Sequence, residues 1–293
     1  MLGGILAAAA LPPWGFWPLG FVGVGVYSFA HATAGESART RFTTGWLFGA
    51  AWLYPGMVWM WFLTAPGYVI AAALFAAFHG IAAMVAPRGR WRVVGLPAAH
   101  VIAEAVRFCF PFGGVPLASL AIGQAAGPFV GVSRVGGALL LSWFVLQVGV
   151  ALSEVAPRVF GIIRRRSTVR EVPVHAGASL AVALLAWVAS PLAAGDLGID
   201  TDGTGHTIRV AVVQGGGPQG THAIHTDPRK VVERHLAATS TIEPGSVDLV
   251  VWPENVIDVA DFASSVELQE VTAEASRIGA PFAVGITEDT TDG

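Results

Sequence analysis

The sequence predicts a polytopic α-helical membrane domain followed by a truncated α/β domain on the outer face of that membrane. Three observations predict it. Long apolar runs fill Met1 to about Ala194 and then stop, arginines recur in every second connection between those runs, and a strand–helix–strand–helix–strand pattern begins after His206. With 54% of its 293 residues hydrophobic and 13% charged, the chain lies outside the soluble mix, in which about a quarter of residues are charged. The expected division is a membrane domain over 1–194, an exposed linker over 195–206, and the opening of an α/β domain over 207–293.

A membrane span needs roughly 20 apolar residues. Seven segments are candidates, at about 1–11, 17–33, 43–63, 67–86, 93–110, 130–152 and 177–194. The first is short, closed by Pro12 and Pro13, and has no charged residues before it, so it reads as a span ahead of a signal peptide. Arg39 and Arg41 follow the second segment, and Arg88, Arg90 and Arg92 the fourth. Arg158, Arg164, Arg165, Arg166 and Arg170 follow the sixth. The alternate connections, 12–16, 64–66 and 111–129, hold no Lys or Arg, so the basic connections are expected in the cytoplasm. Seven crossings from an inner amino terminus place everything after Ala194 outside.

Some residues of the apolar half invite a second reading. Glu104 and Arg107 lie three apart on one helix face near its outer end, as a structural ion pair or as a holder of a lipid headgroup. His79 and His100 stand alone in apolar segments and read as satisfied core histidines. The loop 110–129 is uncharged and rich in Gly and Pro, and is expected to lie over the outer interface. Trp46, Trp52, Trp59 and Trp61 crowd the third segment, where anchoring and packing explain them.

In the polar part, TIRVAVVQ at 207–214 is a β-branched strand followed by GGGPQG at 215–220. That turn lacks both phosphate-binding spacings, so close backbone approach is the better reading. Residues 227–241 have the period of an amphipathic helix, 264–278 of a second, and PFAVGIT at 281–287 reads as a third strand. Between the helices lies Val247–Asn255, VDLVVWPEN. Four apolar residues make a buried strand, Pro253 ends it, and Glu254 is delivered just past its carboxyl end, where open α/β sheets place their chemistry. Alone, Glu254 is either a catalytic base or a solvated acid. Three strands and two helices are only the first part of such a domain, so the chain is expected to be a fragment.

A net charge of −3 without a basic tract in 207–293 excludes nucleic acid as a partner. Cys109 is the only cysteine and Lys230 the only lysine, so no intrachain disulfide forms. No His/Cys/Asp spacing predicts a metal, and no cofactor is expected.

Taken together, VAVVQGGGPQG, VDLVVWPEN and PFAVGIT behind several apolar spans resemble the bacterial apolipoprotein N-acyltransferase family, whose soluble part belongs to the nitrilase (carbon–nitrogen hydrolase) superfamily. The resemblance extends to LPPWGFWPLGF at 11–21 and AEAVRFCFPFGGVPLASLAIGQ at 103–124. It implies a nitrilase-like αββα fold for the outer domain, a multi-pass protein of the bacterial plasma membrane, and acyl transfer in two halves. A cysteine takes an acyl chain from a membrane phospholipid as a thioester, and the amino-terminal amine of a diacylglyceryl-cysteine lipoprotein receives it. A glutamate is the base and a lysine stabilises the oxyanions. Glu254 matches the glutamate by its WPE context. The lysine and cysteine follow the third strand in the family, and neither Lys230 nor Cys109 occupies such a position. This chain is therefore expected to be inactive as it stands. NVIDV also departs from the family, where a proline shortly follows the glutamate. The resemblance further raises fusion to, or association with, a polyprenol-phosphate mannosyltransferase. The alternative is a non-catalytic membrane protein whose truncated nitrilase-like part binds a lipid or a partner subunit. A membrane-tethered amidase for small substrates fits less well, because seven spans exceed what an anchor needs. The orientation has a direct check: a reporter active only in the cytoplasm, fused after Asp202, should be silent, and a signal there overturns the topology.

Overall fold

The computed structural model describes residues 1–111, 113–163, 174–194, 207–216 and 226–288. The linker 195–206, Arg164–Arg166 and Arg170 of the basic connection, and the Gly-rich turn from Gly217 onward lie outside the described residues. The chain is mostly helical and divides into two compact units, Met1–Ile199 and Asp200–Gly293.

In the first unit the apolar segments are helices: α1 (Leu2–Ala9), α2 (Pro18–Thr33), α3 (Ala38–Gly56), α4 (Ala65–Val85), α5 (Arg92–Arg107), α6 (Ser133–Ile163) and α7 (Val174–Ala194). Among the described residues two stretches, Ala65–Val85 and Val130–Pro157, are long and apolar enough to cross a membrane. At 1.5 Å per residue α1 rises only about 12 Å. Helix α3 stops short of the expected 43–63. Pro55 lacks the N–H that would continue the ladder, and beyond Gly56 the chain tightens into a 3-10 turn, Val58–Phe62. Helix α6 is broken at Gly136–Gly137, whose backbone is not helical. Close helix approach rests on small residues: a Cβ at Gly3 would lie 2.5 Å from the Gly23 carbonyl oxygen. Trp52 is buried in this core, whereas Trp59 and Trp61 are exposed.

Two findings sharpen the sequence reading. Glu104 and Arg107 are 3.5 Å apart and fully buried. Arg107 donates to the carbonyls of Val115 (3.0 Å) and Leu117, and Glu104 accepts from the Leu120 N–H (3.2 Å). The pair holds the loop after α5 from a buried position, while Glu104 Oε2 and Arg107 Nε and Nη2 have no hydrogen-bond partner among the described residues. The loop itself is drawn into the core: Leu120 and Gln124 are buried, Gln124 donates to the Trp17 carbonyl (3.0 Å), and Phe129 packs edge-on against Phe21. The second finding is that the two histidines read as core residues are both buried and paired. His79 and His100 do not stand alone; their Nδ1 atoms are 2.9 Å apart across α4 and α5, with the rings stacked. His100 Nε2 meets the Tyr27 hydroxyl of α2 at 2.8 Å.

The second unit is a small parallel sheet with two helices. Strands β1 (Val210–Val212), β2 (Leu249–Val251) and β4 (Phe282–Ala283) form a sheet in the order β1-β2-β4, and β3 (Ile257–Val259) pairs with β5 (Ile286–Glu288). Helix α8 (Pro228–Thr239) starts with Asp227 accepting from the Arg229 N–H and has Pro at its first position. Helix α9 (Val266–Ile278) starts on Ser265 and ends on Gly279 at φ 76°. Val231, Val232, Val250, Trp252, Ile257, Val271 and Ile278 form its core. Arg229 ties the helices together through Glu270 (2.6 Å) and Glu267 (3.3 Å), and holds the Glu270 carboxyl below its ordinary pKa.

Breaking the loop clamp should be costly. Arg107→Ala leaves Glu104 buried without its partner, and we expect a loss of about 3–5 kcal/mol. The readout is thermal unfolding in detergent together with protease cleavage in 111–129. Glu104→Leu combined with Arg107→Met should recover part of the loss, and an Arg107→Ala protein that melts like the wild type contradicts the clamp.

Candidate functional site

The site is built on the exit from β2. Leu249–Val251 is β-branched and apolar, and Val250 is fully buried, because this is the central strand of the sheet. It pairs in parallel with β1 (Val210 opposite Leu249, Val212 opposite Val251) and with β4 (Val250 opposite Phe282, Val251 opposite Ala283). Trp252 then fixes the way out. Its N–H donates to the Ala283 carbonyl (2.9 Å), and its buried indole donates to the Thr239 hydroxyl (3.0 Å) between His235 and Phe282. Pro253 has no N–H for the ladder, and Glu254 follows in a turn at the carboxyl end of the strand.

The turn is held from the other side by the chain after β4. Asn255 takes φ 58°, which asparagine tolerates better than most residues, and its side-chain oxygen accepts from the Thr287 hydroxyl (3.0 Å). Gly285 lies directly against this turn. A Cβ there would stand 2.5 Å from the Pro253 carbonyl oxygen and 2.6 Å from the Glu254 Cα. The Gly285 carbonyl accepts from the Ile257 N–H (3.2 Å), which starts the pairing of β3 with β5. This corrects the single third strand expected over 281–287. It is two short strands, because the chain leaves β2 at Gly285 and takes up β3, a strand that the sequence reading did not identify.

The neighbouring strand exit carries Gln214, whose side chain meets His235 Nε2 at 3.1 Å, while His235 Nδ1 donates to the Val231 carbonyl (2.8 Å). Gly215 runs over α8 so closely that a Cβ would lie 2.7 Å from His235 Nδ1. Backbone approach is therefore what the first glycine of the run provides. His235 and Thr239 act from α8 as props under Gln214 and Trp252. Helical spacing marks His235 as inward-facing, but nothing local to the sequence assigns it to Gln214.

Glu254 is exposed and has no hydrogen bond or ion pair among the described residues. A carboxylate so placed can take a proton from a group brought to the sheet edge. Lys230 lies in α8 and Cys109, exposed, in the turn after α5 of the first unit. Among the described residues no cluster of three or more His, Cys, Asp or Glu side chains is arranged to hold a metal.

Comparison with known proteins gives a consistent match. Residues 3–151 match the family model for the apolipoprotein N-acyltransferase N-terminal domain. Proteins named apolipoprotein N-acyltransferase from Mycolicibacterium smegmatis and Pseudomonas aeruginosa LESB58 are each 27% identical, over 97% and 99% of this chain respectively. One from Allorhizobium ampelinum is also 27% identical, over 87% of the chain. The chain spans about half the length of these relatives, covering 50%, 57% and 50% of them.

Gly285→Ala tests the local geometry. The added methyl group forces the turn or β5 to move, at a cost of about 1–3 kcal/mol. Amide exchange of Ile257, whose N–H is bonded to the Gly285 carbonyl, should accelerate. Unchanged protection of Ile257 would rule out the tight contact.

Proposed function

Because the chain belongs to the apolipoprotein N-acyltransferase family, we propose that it contributes the helical domain and the first part of the outer domain of a phospholipid:apolipoprotein N-acyltransferase, with Glu254 as the general base. The supporting observation is the placement of Glu254: an exposed, unpaired carboxylate at the carboxyl end of the central strand of a parallel sheet, its backbone held by Trp252 and Gly285. In this reading 1–194 is a multi-pass membrane domain whose basic connections face the cytoplasm. The polar unit is then nitrilase-like and lies on the outer face of a bacterial plasma membrane, beside its lipid substrate.

The chemistry needs a base at this point. A thiol of ordinary pKa, about 8.5, is mostly protonated at neutral pH. Glu254 accepts the thiol proton as sulfur attacks the ester carbonyl of a phospholipid. The tetrahedral intermediate collapses to a thioester, and the proton leaves with the lysophospholipid alkoxide. In the second half the amine of the diacylglyceryl-cysteine terminus attacks the thioester carbonyl. Glu254 takes the ammonium proton and returns it to the departing thiolate, and the lipoprotein carries a new amide. The nucleophilic cysteine and the oxyanion-stabilising lysine are assigned to sequence matching the other half of the relatives, since Cys109 and Lys230 lie outside the WPE strand exit.

Glu254→Gln in the complete protein keeps the shape of the side chain and removes its basicity. We expect thioester formation on the cysteine to fall by roughly 10²–10⁴-fold, the range of general-base contributions. The check is mass-spectrometric detection of the acyl-cysteine over time with phospholipid as donor. Acyl-enzyme accumulating at the wild-type rate refutes the assignment.

A further inference from the structure

Where the α2–α3 connection meets the α4–α5 connection, the helical unit contains a cavity of about 440 Å³. Four arginines line it, Arg41, Arg88, Arg90 and Arg92, against two glutamates, Glu36 and Glu154. Two of the arginines are not surface residues: Arg41 is 8% exposed and Arg92 7%. Buried guanidinium groups are rare unless their charge is met. Arg92 is met, by Glu154 and by the Ser28 carbonyl (3.0 Å) and hydroxyl (2.7 Å). Arg41 is not; it donates to the Ala86 carbonyl and has no acidic partner among the described residues. At the rim, Arg88 reaches Glu36 (3.5 Å), and Arg90 lies over the Trp91 ring at 5.4 Å.

A second feature points independently to a ligand. His31 lines the same cavity, is 6% exposed, and its Nδ1 is a buried polar atom without a partner. Its Nε2 lies 3.1 Å from the Ala83 carbonyl, so Nε2 carries the hydrogen and Nδ1 is the free position. A hydroxyl of a protonated oxyanion satisfies the neutral ring there, and a bare anionic oxygen satisfies the imidazolium. A smaller cavity of about 310 Å³ shares Arg92 and Glu154 with the first and adds the apolar walls of Phe29 and Pro157. An excess of guanidinium groups and an adjoining apolar wall suit a tetrahedral oxyanion carrying a substituent.

We propose that this cavity binds a phosphate group, held by Arg41, Arg88 and Arg90. The phosphate is either that of an anionic phospholipid headgroup or free phosphate. Simple topology-setting arginines need only be charged and near the membrane; they need no burial without an acidic partner.

The test uses the full-length protein that contains this chain, in neutral detergent. Two probes separate the sources: radiolabelled inorganic phosphate in equilibrium dialysis, and phosphatidylglycerol against phosphate-free diacylglycerol in native mass spectrometry. Saturable retention of phosphatidylglycerol over diacylglycerol assigns the site to the headgroup; saturable phosphate without a lipid adduct assigns it to free phosphate. Either supports the proposal if Arg88→Gln with Arg90→Gln weakens binding about tenfold or more while Arg39→Gln, exposed and outside the cavity, leaves it unchanged. Arg41→Gln should abolish binding, and if that variant does not fold the rim pair decides. The proposal is overturned if neither probe binds saturably, if Arg39→Gln weakens binding as much as the rim pair, or if the adduct survives both rim substitutions.

Discussion

A buried charge must find its partners inside the protein, and in the helical unit that one requirement organises the loop after α5. Glu104 and Arg107 leave water together, so part of their hydrogen-bonding capacity is met by groups that the chain brings to them. The groups are backbone ones: the carbonyls of Val115 and Leu117 and the N–H of Leu120. Because those lie well beyond the end of α5 at Arg107, the loop must fold back over the end of its own helix. Once it has done so, Leu120, Ala121 and Gln124 are in the core and Phe129 joins the aromatic cluster with Trp17, Phe21 and Phe144. An uncharged Gly- and Pro-rich stretch that would otherwise be a surface loop becomes part of the packing.

The same accounting applies to the histidine pair. Two imidazoles in an apolar interior each need a partner, and with α4 and α5 adjacent they supply one another, the Tyr27 hydroxyl meeting the second nitrogen of His100 while His79 Nε2 has no partner among the described residues. The basic cavity differs in charge: among the described residues Arg41 has no acidic partner, whereas Glu104 and Arg107 have each other.

In the second unit the position of one carboxylate depends on a tryptophan. Trp252 closes β2 by bonding to β4 through its backbone and to α8 through its indole, so the chain can leave the sheet only at Pro253. Gly285 then lets β5 pass against the turn, and the Glu254 backbone is held between two strand exits while its carboxylate stays open to solvent. A fixed backbone with an unpaired side chain is what a base acting on an incoming group requires. The family match and the WPE context point the same way, and the proposed role of Glu254 rests on their agreement.

Much of this was legible in the sequence, because the signals are local. Long apolar runs produce helices, since helical hydrogen bonds are satisfied within the segment. Leu249–Val251 is a strand because β-branched residues suit a pleat, and it ends where Pro253 removes a donor. The WPE context marked Glu254 before any geometry was known. What the sequence could not decide lies between residues far apart in it. Glu104 clamps Leu120, His79 pairs with His100, His235 props Gln214, and Gly285 splits one expected strand into two. Each depends on which segments are neighbours in space and on which buried polar groups are still unmet when they arrive. Periodicity and turn chemistry report the state of a segment. Only tertiary packing chooses its partners.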